Sequence, residues 1–468
     1  MLSPIDQLKF FPFEAYLVGG CVRDMALKRE PKDFDYVVVG ENPDSMVELG
    51  FEQVGAGFPV FLHQEIDAEF ALARMERSTG PGYGDFEFVW DGVTLQQDLY
   101  RRDLTMNAMA LDRDGQLFDP HGGREDIKNK VLRHISPNFA EDPLRIFRVA
   151  RFAAQLGFTV APETMELMQD MAEVGLHKAL KYERMTGELM KGLLSPDPVK
   201  FIEILDQANV LKDWLPELHA MKGVPQRAEY HAEGDVWTHN LMVLKEATEL
   251  TKDSDFETKL RVRFAALFHD VGKTRTPHEM LYGADGVVGR HNDHDSEKLM
   301  NEMFASLKER LKGMDSEVIS FGKQVAIIHQ KIHRMPEASD KGIIRLYEQI
   351  GGKRAFADEN YVADLELACR ADHLGRMVLD KNGVAYSPLM YLEGEMFKRA
   401  MKVVHSVDAG PIMKAAIENA TDKKKGLDLG KQFVHRARLN AIVQLYRGIH
   451  PQQQQHRQKN LKPTGPSM

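Results

Sequence analysis

The fold of the N-terminal part is decided by Tyr16-Leu-Val-Gly-Gly-Cys-Val-Arg-Asp24 and, shortly after it, Lys32-Asp33-Phe34-Asp35-Tyr36. The first segment predicts a short apolar strand, a tight Gly-Gly turn and the start of a helix. The second predicts another strand, in which side chains alternate between two faces, so Asp33 and Asp35 point the same way. Two carboxylates on one face supply the hard oxygen ligands that suit Mg²⁺ together with substrate phosphates.

The Gly-Gly turn and the arginine that follows it have the features of a triphosphate site. Gly20 has no Cβ atom, so backbone N–H groups can approach a phosphate closely. Arg23 lies near the start of the predicted helix, where an anion is already favoured. Taken alone, a Gly-Gly turn or an Asp-x-Asp pair is usually a plain turn or a solvated loop. Together, in strand–turn–helix–strand order, they indicate nucleotidyl transfer with two metal ions.

These residues resemble the nucleotidyltransferase superfamily of the DNA polymerase β type and, more narrowly, the class II tRNA nucleotidyltransferases, or CCA-adding enzymes. The resemblance implies that Asp33 and Asp35 are catalytic and hold Mg²⁺. It also implies that the partners are CTP, ATP and the 3′ end and acceptor arm of tRNA. The segment Asp98-Leu-Tyr-Arg-Arg-Asp103 is similar to the family's Arg-Arg-Asp motif. There Arg102 would contact the triphosphate, and Asp103 would accept a hydrogen bond from a ribose hydroxyl.

The segment Glu141-Asp-Pro-Leu-Arg-Ile-Phe-Arg-Val-Ala-Arg-Phe152 predicts a helix that begins at Asp142, with proline in its first turn. Its arginines recur every three residues, at Arg145, Arg148 and Arg151. On its own this pattern also fits an amphipathic helix with a basic, solvent-exposed face. The segment resembles the family's Glu-Asp-x-x-Arg template. That resemblance implies that Asp142 and Arg145 read the base, while Arg148 and Arg151 hold the triphosphate and base from the same helix.

The hydrogen-bonding edges of the bases explain why an acid and an arginine are paired. Cytosine and adenine both present an amino donor beside a ring-nitrogen acceptor, whereas guanine and uracil present the reverse order. A carboxylate next to a guanidinium therefore pairs with C or A and mispairs with G or U. Side chains in this arrangement would select CTP and ATP without a nucleic-acid template.

From His231 onward histidines become frequent. Three apolar stretches carry candidate metal ligands: His239 in the first, His269 and Asp270 in the second, and Asp372 in the third. A single helical histidine is more often packed in a core than bound to a metal. The adjacent His-Asp pair, however, resembles the HD phosphohydrolase superfamily. That resemblance implies that these four residues hold a divalent transition metal, with Ni²⁺ as a candidate, and that 2′,3′-cyclic phosphate and 2′-phosphate ends are hydrolysed.

Composition excludes several classes of protein. Hydrophobic residues make up 43% of the 468 residues and charged residues 28%, which indicates a globular chain of several domains. The absence of an apolar run of about 18 residues argues against a membrane span. The lack of a signal peptide and the presence of only two cysteines favour the cytoplasm.

The distribution of charge bears on a nucleic-acid partner. The net charge of −9 does not suggest such a partner. Residues 430–468, however, hold seven basic and no acidic residues, and this basic segment suits binding to a phosphate backbone.

The combined prediction is a multidomain α/β plus all-α protein. It has a polymerase-β-type nucleotidyltransferase head with a small mixed sheet (1–137), a helical neck with the template helix (138–228), a helical HD domain with basic C-terminal helices (229–450) and a disordered tail (451–468). For the oligomeric state, the sequence is compatible with both a monomer and a homodimer. Two other functions also stay open: a poly(A) polymerase, which shares the head but usually lacks an HD domain, and a non-catalytic RNA-binding protein that keeps the fold.

Overall fold

The computed structural model describes residues 3–54, 60–63, 66–78, 86–281, 291 and 294–447. The chain divides into two compact units: residues 1–195 with 200–213, and residues 196–199 with 214–468. The predicted tail, 451–468, lies outside the described residues.

The first unit is built on a mixed sheet. The strands of this unit are β1 (Glu14–Val18), β2 (Asp35–Val39), β3 (Glu52–Val54), β4 (Val60–His63), β5 (Ile66–Leu72), β6 (Met75–Ser78), β7 (Phe86–Val89), β8 (Ala110–Leu111), β9 (Leu117–Phe118), β10 (Val131–Leu132) and β11 (Thr159–Val160). Within the described ranges, seven of them form one sheet in the order β3-β4-β5-β2-β1-β8-β9. In that sheet β2 and β5 are parallel, and the other neighbouring strands are antiparallel.

The register of β2 against β5 separates aromatic from acidic side chains. Tyr36 lies opposite Phe70, and Asp35 lies opposite Glu69. The rings of Tyr36 and Phe70 are buried and stack with their centroids 4.7 Å apart. Because side chains alternate along a strand, the same register directs Asp35 and Glu69 to the other face of the sheet. The sequence pattern places Asp33 inside this strand as well, but β2 begins at Asp35, where its ladder with β5 starts, and Asp33 lies in the bend before it.

The helices of residues 3–214 are α1 (Pro4–Leu8), α2 (Gly20–Ala26), α3 (Pro43–Glu48), α4 (Leu95–Tyr100), α5 (Gly123–Asn129), α6 (Leu144–Leu156), α7 (Pro162–Glu173), α8 (Tyr182–Leu193), α9 (Pro198–Gln207) and α10 (Leu211–Trp214). The predicted template helix is α6, and it packs against α8. The helix begins at Leu144, two residues after Asp142, and the backbone N–H of Leu144 donates a hydrogen bond to the Asp142 carboxylate.

The second unit is almost entirely helical in the residues described. Its helices are α11 (Pro216–His219), α12 (Val236–Leu250), α13 (Phe256–Phe268), α14 (His278–Leu281), α15 (Glu297–Arg310), α16 (Ser316–His333), α17 (Asp340–Gln349), α18 (Tyr361–Leu374), α19 (Leu392–His405), α20 (Ala409–Glu418) and α21 (Lys423–Arg447). A short hairpin joins β12 (Val378–Leu379) to β13 (Ala385–Tyr386). Helices α12, α13, α16 and α18 pack on one another. Helix α13 buries ten of its thirteen residues, so the residues that follow it emerge inside the unit.

These elements confirm the predicted fold class, with a small mixed sheet in the head, a helical middle and a helical second unit. The domain boundaries after residues 137 and 228 stay predictions. Among the helices in the described part of the chain, none has the length and apolar character needed to cross a bilayer.

Candidate active sites of the two units

The first unit contains a cleft of about 740 Å³ between the sheet and α6. The ten residues that the sequence predicts for the nucleotidyltransferase site all line it: Gly20, Arg23, Asp33, Asp35, Arg102, Asp103, Asp142, Arg145, Arg148 and Arg151. The two carboxylates at the start of β2, Asp33 and Asp35, and the acid–guanidinium pair Asp142 and Arg145 therefore face one shared space. Glu69, Asn107 and Arg184 line the same cleft.

One end of this cleft is acidic, because Asp33, Asp35 and Glu69 meet there. Burial raises the pKa of Asp35, and the neighbouring charges of Glu69 and Asp33 raise it further. Carboxylates that repel one another in this way are stabilised by a divalent cation. Gly19 keeps the space beside them open, since its φ is +73° and a Cβ atom there would come within 3.0 Å of Arg102. The residues present therefore fit a divalent metal ion with oxygen ligands.

The arginines beside the turn are held by Asp98, which was not among the predicted site residues. Asp98 is buried on α4 and accepts hydrogen bonds from Arg101 at 2.6 Å and from Arg102 at 3.1 Å. Burial opposes ionisation of Asp98, but the two guanidinium charges outweigh it and lower its pKa. Arg23 donates a hydrogen bond to Asn107 at 3.0 Å. The i, i+3 and i, i+4 spacing of Asp98 to the two arginines is typical of helix ion pairs, so the sequence did carry this signal.

Asp103 joins the head to the template helix. Its carboxylate accepts hydrogen bonds from Arg148 and from the side-chain amide of Asn107, both at 2.9 Å. Burial opposes ionisation of Asp103, but the charge of Arg148 and the bond from Asn107 bring its pKa down to about 2. Asp103 in turn raises the pKa of Arg148. Both groups are therefore charged at neutral pH, and a ribose hydroxyl would share this carboxylate with Arg148.

The predicted base readers make hydrogen bonds with the chain itself. Asp142 accepts a bond from Arg184, with 3.1 Å between oxygen and nitrogen. Arg145 donates to the carbonyl oxygens of Asn138 and Arg101, both at 2.7 Å. Arg184 comes from α8, and the sequence offers no chemistry for it. The structure places its guanidinium on the carboxylate that is predicted to read the base.

Arg151, which is predicted to hold triphosphate and base, has a counter-ion on the neighbouring helix, and its contact with a nucleotide stays a prediction. Its side chain lines the cleft, but the residue is only 9% exposed and donates to Glu188 of α8 at 2.5 Å. A buried guanidinium needs such a counter-ion, because the charge loses its hydration. Arg151 also lies over the ring of Phe152, 4.1 Å from its centroid, and Arg23 and Arg148 lie near the same ring. These contacts make Arg151 a residue that positions α6 against α8.

The second unit gathers its predicted metal ligands just beyond the end of α13. The Nε2 atom of His239 lies 3.2 Å from Asp372 and 3.6 Å from Asp270. The Nε2 atom of His269 lies 3.3 Å from Asp270 and 3.7 Å from Asp372. All four side chains are buried. Burial opposes ionisation of Asp270, but Lys273 and His269 hold its pKa well below the ordinary value, so the carboxylate is charged.

Hydrogen bonds fix which nitrogen of each histidine faces the centre of this cluster. The Nδ1 atom of His269 lies 2.9 Å from the carbonyl oxygen of Ala266, and that of His239 lies 2.8 Å from Glu233. Carbonyl and carboxylate oxygens only accept, so both Nδ1 atoms carry a proton and each Nε2 is left to face the centre. Neither buried Nε2 atom has a hydrogen-bond partner. Inward-facing nitrogens without partners fit a bound metal ion.

Two further residues form hydrogen bonds with these ligands and hold their orientation. Glu233 accepts hydrogen bonds from His239 at 2.8 Å and from His231 at 2.9 Å. His333 lies 2.6 Å from the second oxygen of Asp372. Burial would lower the pKa of His239, but Asp372 and Glu233 raise it to about 9, so a metal ion would displace a proton from this histidine. No sequence pattern singles out Glu233, because a glutamate two residues after a histidine is an ordinary surface pattern.

Three family models match the chain in succession. They are described as the Poly A polymerase head domain, matching residues 15–133, the probable RNA and SrmB-binding site of polymerase A, matching 157–222, and the HD domain, matching 236–377. Together with the two sites, these matches define the class: a polymerase-type nucleotidyltransferase that carries an HD domain.

Known proteins narrow the class to one family. A multifunctional CCA protein of Paraburkholderia phymatum is 40% identical over 436 residues, which cover 92% of this chain and 97% of that protein. A solved CCA-adding enzyme in apo form II matches with a TM-score of 0.63 at 18% identity, covering 96% of this chain and 97% of that one. A CCA-adding enzyme solved with CTP matches with a TM-score of 0.59 at 18% identity, covering 98% and 96%. The chain belongs to the family of multifunctional CCA proteins, which confirms the resemblance found in the sequence.

Glu233→Gln tests the support of the histidine cluster. The substitution keeps the shape of the side chain but removes the charge that orients His239, so divalent metal affinity should fall by about 10–100-fold. Titration of the metal-stripped full chain with Co²⁺, followed by absorption spectroscopy, measures this change. Glu229→Gln, an exposed neighbour in the same loop, should leave the affinity as it is. Equal affinities in both variants would contradict a supporting role for Glu233.

Proposed function

We propose that this enzyme adds or repairs the 3′-terminal CCA of tRNA without a nucleic-acid template, using CTP and ATP and releasing pyrophosphate. Membership of the multifunctional CCA family supports the reaction. The observation that carries the proposal is that Asp33 and Asp35 line the same cleft as Asp142 and Arg145. One bound nucleotide can therefore present its α-phosphate to the first pair and its base to the second.

The acidic end of the cleft would hold Mg²⁺ through Asp33 and Asp35, with Glu69 beside them. When bound there, the ion would activate the attacking 3′-hydroxyl and stabilise the leaving oxygen. The head's own groups bind the rest of the triphosphate. Gly20 lets backbone N–H groups approach it, and the guanidinium of Arg23 neutralises part of its charge.

Two more head residues place the sugar and the phosphates. Arg102, held by Asp98, presents its guanidinium at the turn and contacts the triphosphate. We expect Asp103 to accept a hydrogen bond from the ribose hydroxyl by giving up part of its present contacts, because Arg148, Asn107 and the backbone N–H of Leu104 already donate to its two oxygens. Because Arg148 is bonded to Asp103, ribose contact and the position of α6 are linked.

Asp142 and Arg145 select the base. The carboxylate accepts from the exocyclic amino group of C or A, and the guanidinium donates to the adjacent ring nitrogen. To do this, Asp142 gives up part of its contact with Arg184, and Arg145 part of its contact with two backbone carbonyls. Arg184 orients the carboxylate before the base arrives, which makes it a positioning residue.

The HD domain would hydrolyse 2′,3′-cyclic phosphate and 2′-phosphate ends. The ligands would be His239, His269, Asp270 and Asp372, a mixed imidazole and carboxylate set that suits a divalent transition metal such as Ni²⁺. When bound, the metal would lower the pKa of the attacking water. The two activities complement each other, since an RNA end without a free 3′-hydroxyl cannot attack a nucleotide.

The partners and setting complete the proposal. The RNA partner is the 3′ end and acceptor arm of tRNA, and the enzyme acts as a monomer or a homodimer. We place it in the cytoplasm, because Cys21 and Cys369 are both free and buried, as suits a reducing compartment.

A tRNA transcript that lacks its CCA end, incubated with CTP and ATP separately and then together, tests the main reaction. CTP should be incorporated first and ATP only afterwards, so that sequencing of the product finds CCA. Asp33→Ala should abolish transfer, because half of the metal-binding pair is lost. Asp44→Ala, an exposed aspartate on α3, is the control and should remain active. An A-only tail would identify a poly(A) polymerase instead, and no transfer by the unmutated chain would favour a non-catalytic protein.

Asp142→Ala tests base selection. The variant cannot accept from the amino group of C or A, and one missing buried hydrogen bond is worth about 1–3 kcal/mol. The ratio of kcat/KM for CTP over UTP should therefore fall by roughly 5–150-fold. Glu183→Ala, an exposed acid on α8, should leave the ratio unchanged. Unaltered selection in Asp142→Ala would assign base reading to other residues.

Asp270→Ala tests the phosphohydrolase separately. Release of phosphate from 2′,3′-cyclic AMP should be lost, because Asp270 faces both His239 and His269 in the cluster. CCA addition should persist, since its residues belong to the other unit. Phosphate release that is the same in the variant and the parent would refute the assigned site.

A further inference from the structure

An arginine lies at the edge of the histidine cluster in the second unit. Arg376 follows the end of α18, a short distance after the predicted metal ligand Asp372. Its guanidinium donates to Nδ1 of His373 at 3.1 Å, and the ring of His373 lies 6.3 Å from that of His333, measured between centroids. His333 in turn lies 2.6 Å from a carboxylate oxygen of Asp372. A short chain of contacts therefore connects this guanidinium to the cluster.

The backbone on both sides of Arg376 is fixed against the cluster. A Cβ atom on Gly375 would lie 2.7 Å from a backbone Cα atom of α12, so glycine is needed for the turn after α18 to pack this closely on that helix. On the other side, the backbone N–H of Met377 donates to Glu233 at 2.9 Å. Glu233 also bonds to His239 of α12. Arg376 is therefore held close to the predicted metal ligands.

The guanidinium of Arg376 has hydrogen-bond donors to spare. A guanidinium carries five N–H donors in a planar fork. Among the residues that the structure describes, the side chain of Arg376 bonds to His373 alone and forms no ion pair with a carboxylate. Its Nε atom is buried and has no hydrogen-bond partner, although the residue as a whole is only half-buried. A buried donor without a partner is rare in folded proteins, so this group is suited to an anionic ligand.

Two other cations near the cluster are committed to the fold. Arg370, on the same helix as Asp372, forms an ion pair with Glu366 at 2.8 Å. Lys273 is buried and donates to Asp270 at 2.6 Å and to a glutamine side chain at 2.7 Å. Each of these cations has a counter-ion within the chain. In the described part of the chain no carboxylate pairs directly with Arg376, which distinguishes it from both.

We infer that Arg376 binds the phosphate group of the RNA end that the HD domain hydrolyses. The inference rests on the proposed phosphohydrolase function. A guanidinium fork matches two oxygens of one phosphate with parallel hydrogen bonds, which a lysine cannot do. Both 2′,3′-cyclic phosphate and 2′-phosphate ends offer two such oxygens on phosphorus, so one arginine serves both. Arg376 thereby holds the phosphorus at the cluster and is a residue that determines specificity for phosphate esters.

Binding of inorganic phosphate to the full-length protein tests this contact. The parent carries Asp33→Ala and Asp35→Ala, so that the head carboxylates do not hold Co²⁺, and it is loaded with Co²⁺ after metal removal. Paramagnetic cobalt broadens the ³¹P resonance of phosphate that binds beside it, and a titration gives the dissociation constant. Arg376→Ala should raise this constant by about 10–150-fold, because a hydrogen bond to a charged group is lost.

Two variants serve as comparisons in the same titration. Arg376→Lys should give an intermediate dissociation constant, because the charge is kept and the fork is lost. Arg399→Ala removes an exposed arginine on α19 and should leave the constant unchanged. Equal dissociation constants in Arg376→Ala and the parent would overturn the inference, even if 2′,3′-cyclic AMP is hydrolysed normally.

Two further measurements separate substrate binding from other roles of Arg376. The affinity for Co²⁺ should be the same in Arg376→Ala and the parent, whereas a lower affinity would make the arginine a support of the metal ligands and overturn the inference. The KM for 2′,3′-cyclic AMP should rise in Arg376→Ala. An unchanged KM would also overturn the inference, because the arginine would then bind free phosphate and not the substrate.

The outcomes separate this inference from the proposed reaction. A parent that holds phosphate through Arg376 but does not hydrolyse 2′,3′-cyclic AMP would support the phosphate contact and count against the phosphohydrolase function alone. A cobalt-loaded parent that does not bind phosphate at all would overturn the contact.

Discussion

The structure of the first unit depends on how the charges of seven arginines in one cleft are balanced. They are Arg23, Arg101, Arg102, Arg145, Arg148, Arg151 and Arg184. Guanidinium groups this close repel one another: burial is the main reason that the pKa of Arg151 is lowered, and the charge of Arg148 contributes. Buried or half-buried carboxylates form ion pairs that reduce this repulsion, namely Asp24, Asp98, Asp103, Asp142 and Glu188. The positive charge that they leave is available to a triphosphate.

The ion pairs that balance these charges also connect the head to the template helix. Arg148 of α6 is bonded to Asp103 of the head, and Arg184 of α8 is bonded to Asp142 at the start of α6. In our account, two of these carboxylates also contact the nucleotide, one at the ribose and one at the base. A nucleotide would therefore replace part of an existing hydrogen-bond network instead of ordering free side chains, and such preorganisation is favourable for catalysis. The histidine cluster of the second unit follows a similar rule, since hydrogen bonds behind each ligand set its orientation.

Local periodicity was enough to predict much of this arrangement. Strand alternation indicated that Asp35 belongs to an acidic site, and the three-residue spacing indicated that Arg145 and Arg148 share a face of one helix. The buried helix that ends at His269 was equally clear from its apolar sequence. Each of these signals depends on residues within a few positions of one another, which is the range over which secondary structure fixes geometry.

Partners that are far apart in the sequence could not be predicted in this way. Arg148 and Asp103 are 45 positions apart, and Arg184 and Asp142 are 42 apart, so their pairing depends on how α6 and α8 pack. The same packing explains Arg151, which has the right helical spacing for a ligand contact but is buried against α8. Glu233 was missed because only the tertiary structure turns its carboxylate towards the cluster.

The central claim is that a single nucleotide spans the acidic pair and the base-reading pair. A crystal structure of the full chain with CTP bound tests this most directly. Our account predicts that the α-phosphate lies against Asp33 and Asp35 while the cytosine amino group lies within hydrogen-bond distance of Asp142 and its ring nitrogen faces Arg145. A cytosine held away from Asp142 and Arg145, with the phosphates still at Asp33 and Asp35, would contradict it.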